Sequence, residues 1–100
     1  MPKSASYQDF LIKSIQKSQD AAAYIEAILE EKDPEPELLR NALRNMVEAK
    51  AKINHLSPTL KQQHEQLDKM LTESGGAEIY TFVEFLDSLG FQVGIVPKEK

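Results

Sequence analysis

Residues 38–50 read Leu-Leu-Arg-Asn-Ala-Leu-Arg-Asn-Met-Val-Glu-Ala-Lys, and their apolar side chains recur every three or four residues. This spacing is typical of a helix that buries one broad face, and it predicts a core helix over residues 36–51. The preceding Asp33-Pro34-Glu35-Pro36 separates it from the segment before, because a proline lacks an amide donor and restricts the residue before it. The rest of the fold can be built outward from this helix.

Helical spacing and helix-end signals recur along most of the chain. Ser57-Pro58 predicts a helix start, with serine as the cap and proline in the first turn. Gly75-Gly76 predicts its end, because glycine enters left-handed conformations without penalty. The predicted helices cover residues 6–18, 21–31, 36–51, 58–73 and a last stretch between Gly76 and Gly90. The residues expected in the core are Leu39, Leu43, Met46, Phe82, Phe85 and Leu86.

The C-terminal stretch Phe-Gln-Val-Gly-Ile-Val, residues 91–96, alternates along the chain and is rich in β-forming residues, which predicts a strand ended by Pro97. No second strand is visible in the sequence, and an unpaired strand edge needs a partner. Pairing with its copy across a two-fold axis is the simplest solution, with alternate side chains on opposite sides. The expected dimer-interface residues are Phe91, Val93, Ile95 and Val96.

Length and composition fit one small domain. The chain has 100 residues, which suits a single modest core over residues 6–97, between flexible tails at 1–5 and 98–100. It has no cysteine, which excludes disulfides, thiolate metal sites and cysteine nucleophiles. No apolar run approaches the roughly 20 residues of a membrane span, and the N-terminus lacks a signal-peptide core. A cytoplasmic protein is therefore expected.

Catalytic patterns are missing from the sequence. His55 and His64 lie nine residues apart with no partner at metal-ligand spacing. The carboxylates stand in solvated runs without an apolar pocket, and no serine has a nucleophile-elbow context. The sequence therefore predicts a protein that is not an enzyme and that has neither a metal site nor a cofactor.

Charge is unevenly distributed. The net charge is −4, which argues against nucleic acid, because binding to phosphates depends on Lys and Arg. Residues 40–70, however, contain six bases against three acids. This segment is either an ordinary solvated helical surface or a surface that attracts phosphates.

Nearly the whole chain, from about residue 6 to residue 97, resembles the phage-repressor-like (Xre-type) helix-turn-helix transcriptional regulators of the addiction-module antidote, or antitoxin, family. The matching pieces are Leu-Ile-Lys-Ser at 11–14, Ala-Ala-Ala-Tyr-Ile-Glu-Ala-Ile-Leu-Glu-Glu at 21–31 with Asp33-Pro34-Glu35, residues 39–49 and residues 85–97. The resemblance implies a five- to six-helix repressor-like bundle with one C-terminal strand. It also implies dimers, operator DNA and a cognate toxin as partners.

The sequence departs from that family in the DNA-reading turn. Residues 53–63 contain no glycine, and Lys61 stands where the family has one. Either a distorted turn survives, or residues 58–73 form one longer helix and the reading head is lost. If the turn survives, the residues presented to DNA are Lys61, Gln63, His64, Gln66 and Lys69. Two functions follow: a DNA-binding regulator of the antitoxin type, or a helical module for dimerisation or partner binding that has lost DNA binding.

Overall fold

Five α-helices follow one another in the computed structural model, which describes the backbone of residues 2–98 and the side chains of residues 7–98. The helices are α1 (Pro2–Ser14), α2 (Ser18–Leu29), α3 (Leu38–Ile53), α4 (Pro58–Ser74) and α5 (Ala77–Ser88). The predicted all-α class is confirmed. Helix α1 begins within the stretch that was predicted as an N-terminal tail. Of the two predicted tails, residues 1, 99 and 100 lie outside the described part of the chain.

Local signals explain where α4 begins and ends. The Ser57 hydroxyl accepts a hydrogen bond from the Leu60 amide at 3.0 Å, and Pro58 occupies the first turn, as predicted. At the other end Gly75 and Gly76 have φ angles of 68° and 83°, in the left-handed region. A Cβ atom on Gly75 would lie 3.2 Å from the Pro36 Cβ, so the turn into α5 passes close to the α2–α3 connection.

Helix α3 lies at the centre and packs against α1, α2 and α4. It joins two buried clusters. The first consists of Ile25, Leu39, Ala42, Leu71 and Tyr80. The second consists of Ile12, Ile15 and Ala49. Helix α5 is fastened to α2 by a single long-range hydrogen bond, in which the Tyr80 hydroxyl donates to the Ile28 carbonyl at 3.0 Å. Burial raises the pKa of Tyr80 above its usual value, because the charged form would lose hydration.

The predicted core is confirmed for Leu39, holds in part for Leu43, Met46 and Leu86, and is wrong for Phe82 and Phe85. Leu39 is buried, and Leu43, Met46 and Leu86 are half-buried. Phe82 and Phe85, in contrast, are 58% and 59% exposed. Large apolar residues cover more than half of the circumference of α5, so its sequence does not indicate which part of that arc is buried. The buried side contains Tyr80, and the two phenylalanines lie roughly 140–160° away from it around the helix.

The predicted strand at 91–96 does not form within the described chain. These residues form an irregular segment after Gly90, because within residues 2–98 no second segment pairs with them. The predicted alternation is nevertheless confirmed: Val93 and Ile95 are half-buried, whereas Gln92 and Gly94 are exposed. Ile95 packs against the core cluster around Leu39, so the segment is held by burial of its side chains rather than by a ladder.

The molecule is thin and exposes much of its surface. Its extents are 39 × 39 × 24 Å, and its solvent-accessible surface is 7773 Å². A compact monomer of 11.3 kDa is expected to expose roughly 5,700 Å². The excess arises because three helices pack against α3 in a shallow layer with α5 beside α2, which leaves the outer sides of several helices without a covering element.

Candidate interaction surfaces

The residues predicted to contact DNA all lie on α4, which runs without a break over Pro58–Ser74. The turn of a helix-turn-helix motif is therefore absent from this segment, and the second of the two predicted structures, one long helix, is confirmed. The cap at Ser57 places the helix start there, and residues 58–74 contain neither a glycine nor a second proline that would interrupt it.

The predicted DNA contacts do not share one side of α4. His64 faces inward and is half-buried, while Lys61, Gln63, Gln66 and Lys69 are exposed. Lys61 and Lys69 lie roughly 80° apart around the helix, and Gln63 and Gln66 roughly 60° apart. Lys61 and Gln63, however, are separated by roughly 160°. One DNA groove or backbone could therefore meet only part of this set.

An ion pair removes one base from the positive segment. The Arg40 Nε atom donates to the Asp68 Oδ1 atom at 2.8 Å, and Nη2 lies 3.3 Å from Oδ2. The hydrogen bond from Arg40 holds the pKa of Asp68 below its usual value, and the same contact raises the pKa of Arg40. No other ion pair occurs among residues 7–98. The exposed lysines that remain on α3 and α4 are Lys50, Lys52, Lys61 and Lys69.

The outer face of α5 is formed by Phe82, Phe85 and Leu89, three large apolar residues that are exposed on the same side of the helix. Leu89 is the C-cap residue that follows Ser88, and its exposed fraction of 56% is close to those of the two phenylalanines. Glu78 lies on the same side, one turn before Phe82. Hydrogen bonds from its own backbone amide and from Ser74 lower its pKa, so this carboxylate is charged at neutral pH.

Sequence reasoning missed the outer face of α5 because it assigned both phenylalanines to the core. A usable signal was present. An apolar arc that covers more than half of a helix needs neighbours on several sides, and a chain of 100 residues has few elements to provide them. In such a case one side of the helix remains exposed or meets another molecule.

The predicted dimer-interface residues are divided between two sides of the C-terminal segment. Phe91 and Val96 point to solvent, whereas Val93 and Ile95 face the chain's own helices. Among the described residues, the backbone amides of 92–96 make no backbone hydrogen bond. The segment therefore still offers donors and acceptors to a second chain.

Two further observations concern the chemistry that the described residues can support. No group of three or more His, Cys, Asp or Glu side chains is arranged to hold a metal ion within residues 7–98. None of the helices α1–α5 combines the length and the apolar character that crossing a bilayer requires.

The chain matches no family model, no curated protein and no solved structure. The resemblance to the antitoxin-type regulators stays a prediction.

Proposed function

We propose that this chain is a dimerisation module, a helical protein that pairs with a second copy of itself through the outer face of α5. The observation that carries the proposal is the joint exposure of Phe82, Phe85 and Leu89 on one side of a helix. Burying a large apolar side chain contributes about 1.5–3 kcal/mol relative to leaving it in water. Three such side chains at one place are a strong driving force for association.

The surface area supports the same proposal. The chain exposes 7773 Å², roughly 2,000 Å² more than a compact monomer of its mass. A stable interface of ordinary size covers about 800 Å² on each partner. One dimer contact therefore fits within the excess.

The spacing of the residues favours an antiparallel pair of α5 helices. The spacing along this face is four, three and four residues, from Glu78 to Phe82, Phe85 and Leu89. The spacing is the same whether the helix is followed from its N-terminus or from its C-terminus. A two-fold axis between positions 82 and 85 places Phe82 opposite Phe85 of the partner subunit. Both phenylalanines then reach an apolar surface, as an isologous contact requires.

Charge favours the antiparallel orientation over a parallel one. In a parallel pair the two Glu78 carboxylates would meet and repel each other. In the antiparallel pair each Glu78 lies beside the end of the partner helix near Leu89, about 16 Å along the axis from the other Glu78. This distance exceeds the screening length of about 8–10 Å in physiological salt.

The test is the molar mass of the purified protein and of two matched variants, measured by light scattering and analytical ultracentrifugation. We expect a dimer for the unmodified chain at micromolar concentration and a monomer for Phe85→Glu. Phe10→Glu is the control, because Phe10 is 69% exposed but lies on α1. Circular dichroism verifies that both variants keep their helices. A monomeric parent protein, or equal dissociation by both variants, would refute the proposal.

We also propose that the C-terminal segments add a second contact, with residues 91–96 of the two subunits paired as strands. The support is the set of free backbone amides between 92 and 96 and the alternation of their side chains. Gly94→Pro removes one amide, and a side chain at this position meets no neighbouring atom. Strand pairing predicts a weaker dimer for this variant; unchanged dimer affinity contradicts it and leaves the α5 contact intact.

DNA binding by an antitoxin-type regulator is the second candidate function. The observation that favours it is the exposure of Lys50, Lys52, Lys61 and Lys69 without an acidic partner among the described residues. On this proposal operator DNA is the ligand and a cognate toxin is a further partner, as the family resemblance implies. Titration with the DNA upstream of the protein's own gene, repeated at several salt concentrations, tests it. Absence of binding at low salt leaves dimerisation as the sole proposed activity.

A further inference from the structure

An apolar groove opens between the second half of α3 and the first half of α4, with a volume of about 410 Å³. At the other end of the same two helices, Leu39 and Leu71 belong to one buried cluster and Arg40 pairs with Asp68. The helices are therefore tied together at that end and leave a gap near the connection at 54–57. Lys61, Gln66 and Lys69 of α4 do not line this groove, whereas Gln63 and His64 do.

The lining of the groove combines apolar walls with a few polar groups. Val47, Leu60 and Leu67 are among its wall residues, and the polar residues that line it are Lys50, Gln63 and His64. No carboxylate lines the groove, so Lys50 supplies its one formal charge. Small-molecule sites in proteins have this composition, and their volumes are about 300–1,000 Å³.

His64 provides an independent observation at the same place. Its Nε2 atom is shielded from solvent and has no hydrogen-bond partner among the described residues. Buried polar atoms are nearly always paired, so an unpaired one in the wall of a groove indicates that a partner group is missing there.

We propose that the α3–α4 groove binds a small amphipathic anion of the fatty-carboxylate class. The hydrocarbon chain lies against Val47, Leu60 and Leu67, where it is removed from water. The carboxylate lies at the rim, where the Lys50 ammonium group donates to it. An acidic head group is selected because the groove contains a cation and no competing carboxylate.

The probe is sodium decanoate below its micelle concentration, with 1-decanol as a neutral ligand of the same chain length. We expect decanoate to raise the melting temperature and to shift the amide NMR signals of residues 43–50 and 60–67. Decanol should bind more weakly, because it cannot pair with Lys50. Lys50→Met should lower the affinity for decanoate by about tenfold, the loss of one charge-assisted contact, and leave that for decanol unchanged.

Two further variants make the outcome decisive. Lys52→Met is the matched control, because Lys52 is an exposed lysine of α3 that does not line the groove. Val47→Trp fills the groove and should weaken both ligands, with the helical content checked by circular dichroism. The proposal is overturned if the shifted signals belong to the outer face of α5, if Lys52→Met has the same effect as Lys50→Met, or if decanol binds as tightly as decanoate.

Discussion

Arg40 and Asp68 form a two-point contact between α3 and α4, with Nε–Oδ1 and Nη2–Oδ2 distances of 2.8 Å and 3.3 Å. The pair joins residues that are 28 positions apart in the chain. It holds α4 against α3 beside the buried Leu39 and Leu71, and it leaves Arg40 unavailable to any phosphate. The same contact makes the stability of the fold depend on the ionisation of Asp68.

Asp68→Asn is expected to lower stability at neutral pH and to remove part of the acid sensitivity of the protein. Because Arg40 depresses the folded-state pKa of Asp68 below 3.8, the ionised carboxylate stabilises the fold above that pH. This contribution is lost as pH falls through the folded-state pKa. The melting temperatures of the parent protein and the variant should therefore differ at pH 7 and converge in strong acid. Glu65→Gln is the control, because Glu65 is exposed and has no ion pair among the described residues. This variant should melt close to the parent protein at pH 7 as well as in strong acid.

Leu39→Ala and Phe85→Ala should have very different effects on folding. Leu39 is 2% exposed, so its truncation leaves a cavity and is expected to cost about 2–5 kcal/mol in the free energy of unfolding. Phe85 is exposed in the monomer, so its truncation should change that free energy by no more than about 0.5 kcal/mol. Urea titration measures the free energy of unfolding of both variants, at a protein concentration too low for dimers to form. A large loss for Phe85→Ala would mean that α5 packs with its other side inward.

Gly75→Ala is expected to destabilise the protein, and Gly94→Ala is its control. Gly75 has a φ of 68°, and an added Cβ would lie 3.2 Å from the Pro36 Cβ. The left-handed conformation alone costs about 1–2 kcal/mol for a residue with a side chain. At Gly94 an added Cβ meets nothing within 4 Å, so the effect there should be small. Thermal unfolding of both variants checks the prediction, and equal melting temperatures would contradict it.

The DNA candidate makes a distinct prediction for α4. Lys61→Ala and Lys69→Ala should each weaken binding to all sequences, and each lost phosphate contact should flatten the salt dependence by about 0.9 in logarithmic slope. Gln66→Ala should instead relax the preference for one sequence over another. Fluorescence anisotropy with specific and scrambled duplexes separates the two effects. A Lys69→Ala variant that binds as the parent protein does would remove Lys69 from the DNA-binding surface.

Part of the candidate sites could be predicted from the sequence. The sequence left two structures open for residues 58–73, a distorted turn and one helix, and the lack of a glycine at 53–63 favoured the helix that the structure contains. The breadth of the apolar arc of α5 indicated that part of it would stay uncovered, but not which part, since both phenylalanines are residues of a type usually found in a core. Which side of α5 is buried depends on Tyr80, whose hydroxyl reaches the Ile28 carbonyl 52 positions away.

Local signals in the sequence were enough to predict five helices, with the bounds of α3 and α4 given to within a few residues. Three signals carry this information: serine and proline at 57–58, two glycines at 75–76 and the spacing of apolar residues in α3. Each acts over one or two helical turns, so the local structure that it predicts does not depend on the rest of the chain. Which helix faces are covered, and whether residues 91–96 pair with another segment of the chain, depends instead on how the helices pack. These outcomes depend on distant residues brought together by burial, and a thin arrangement of five helices has too few layers to cover every apolar face.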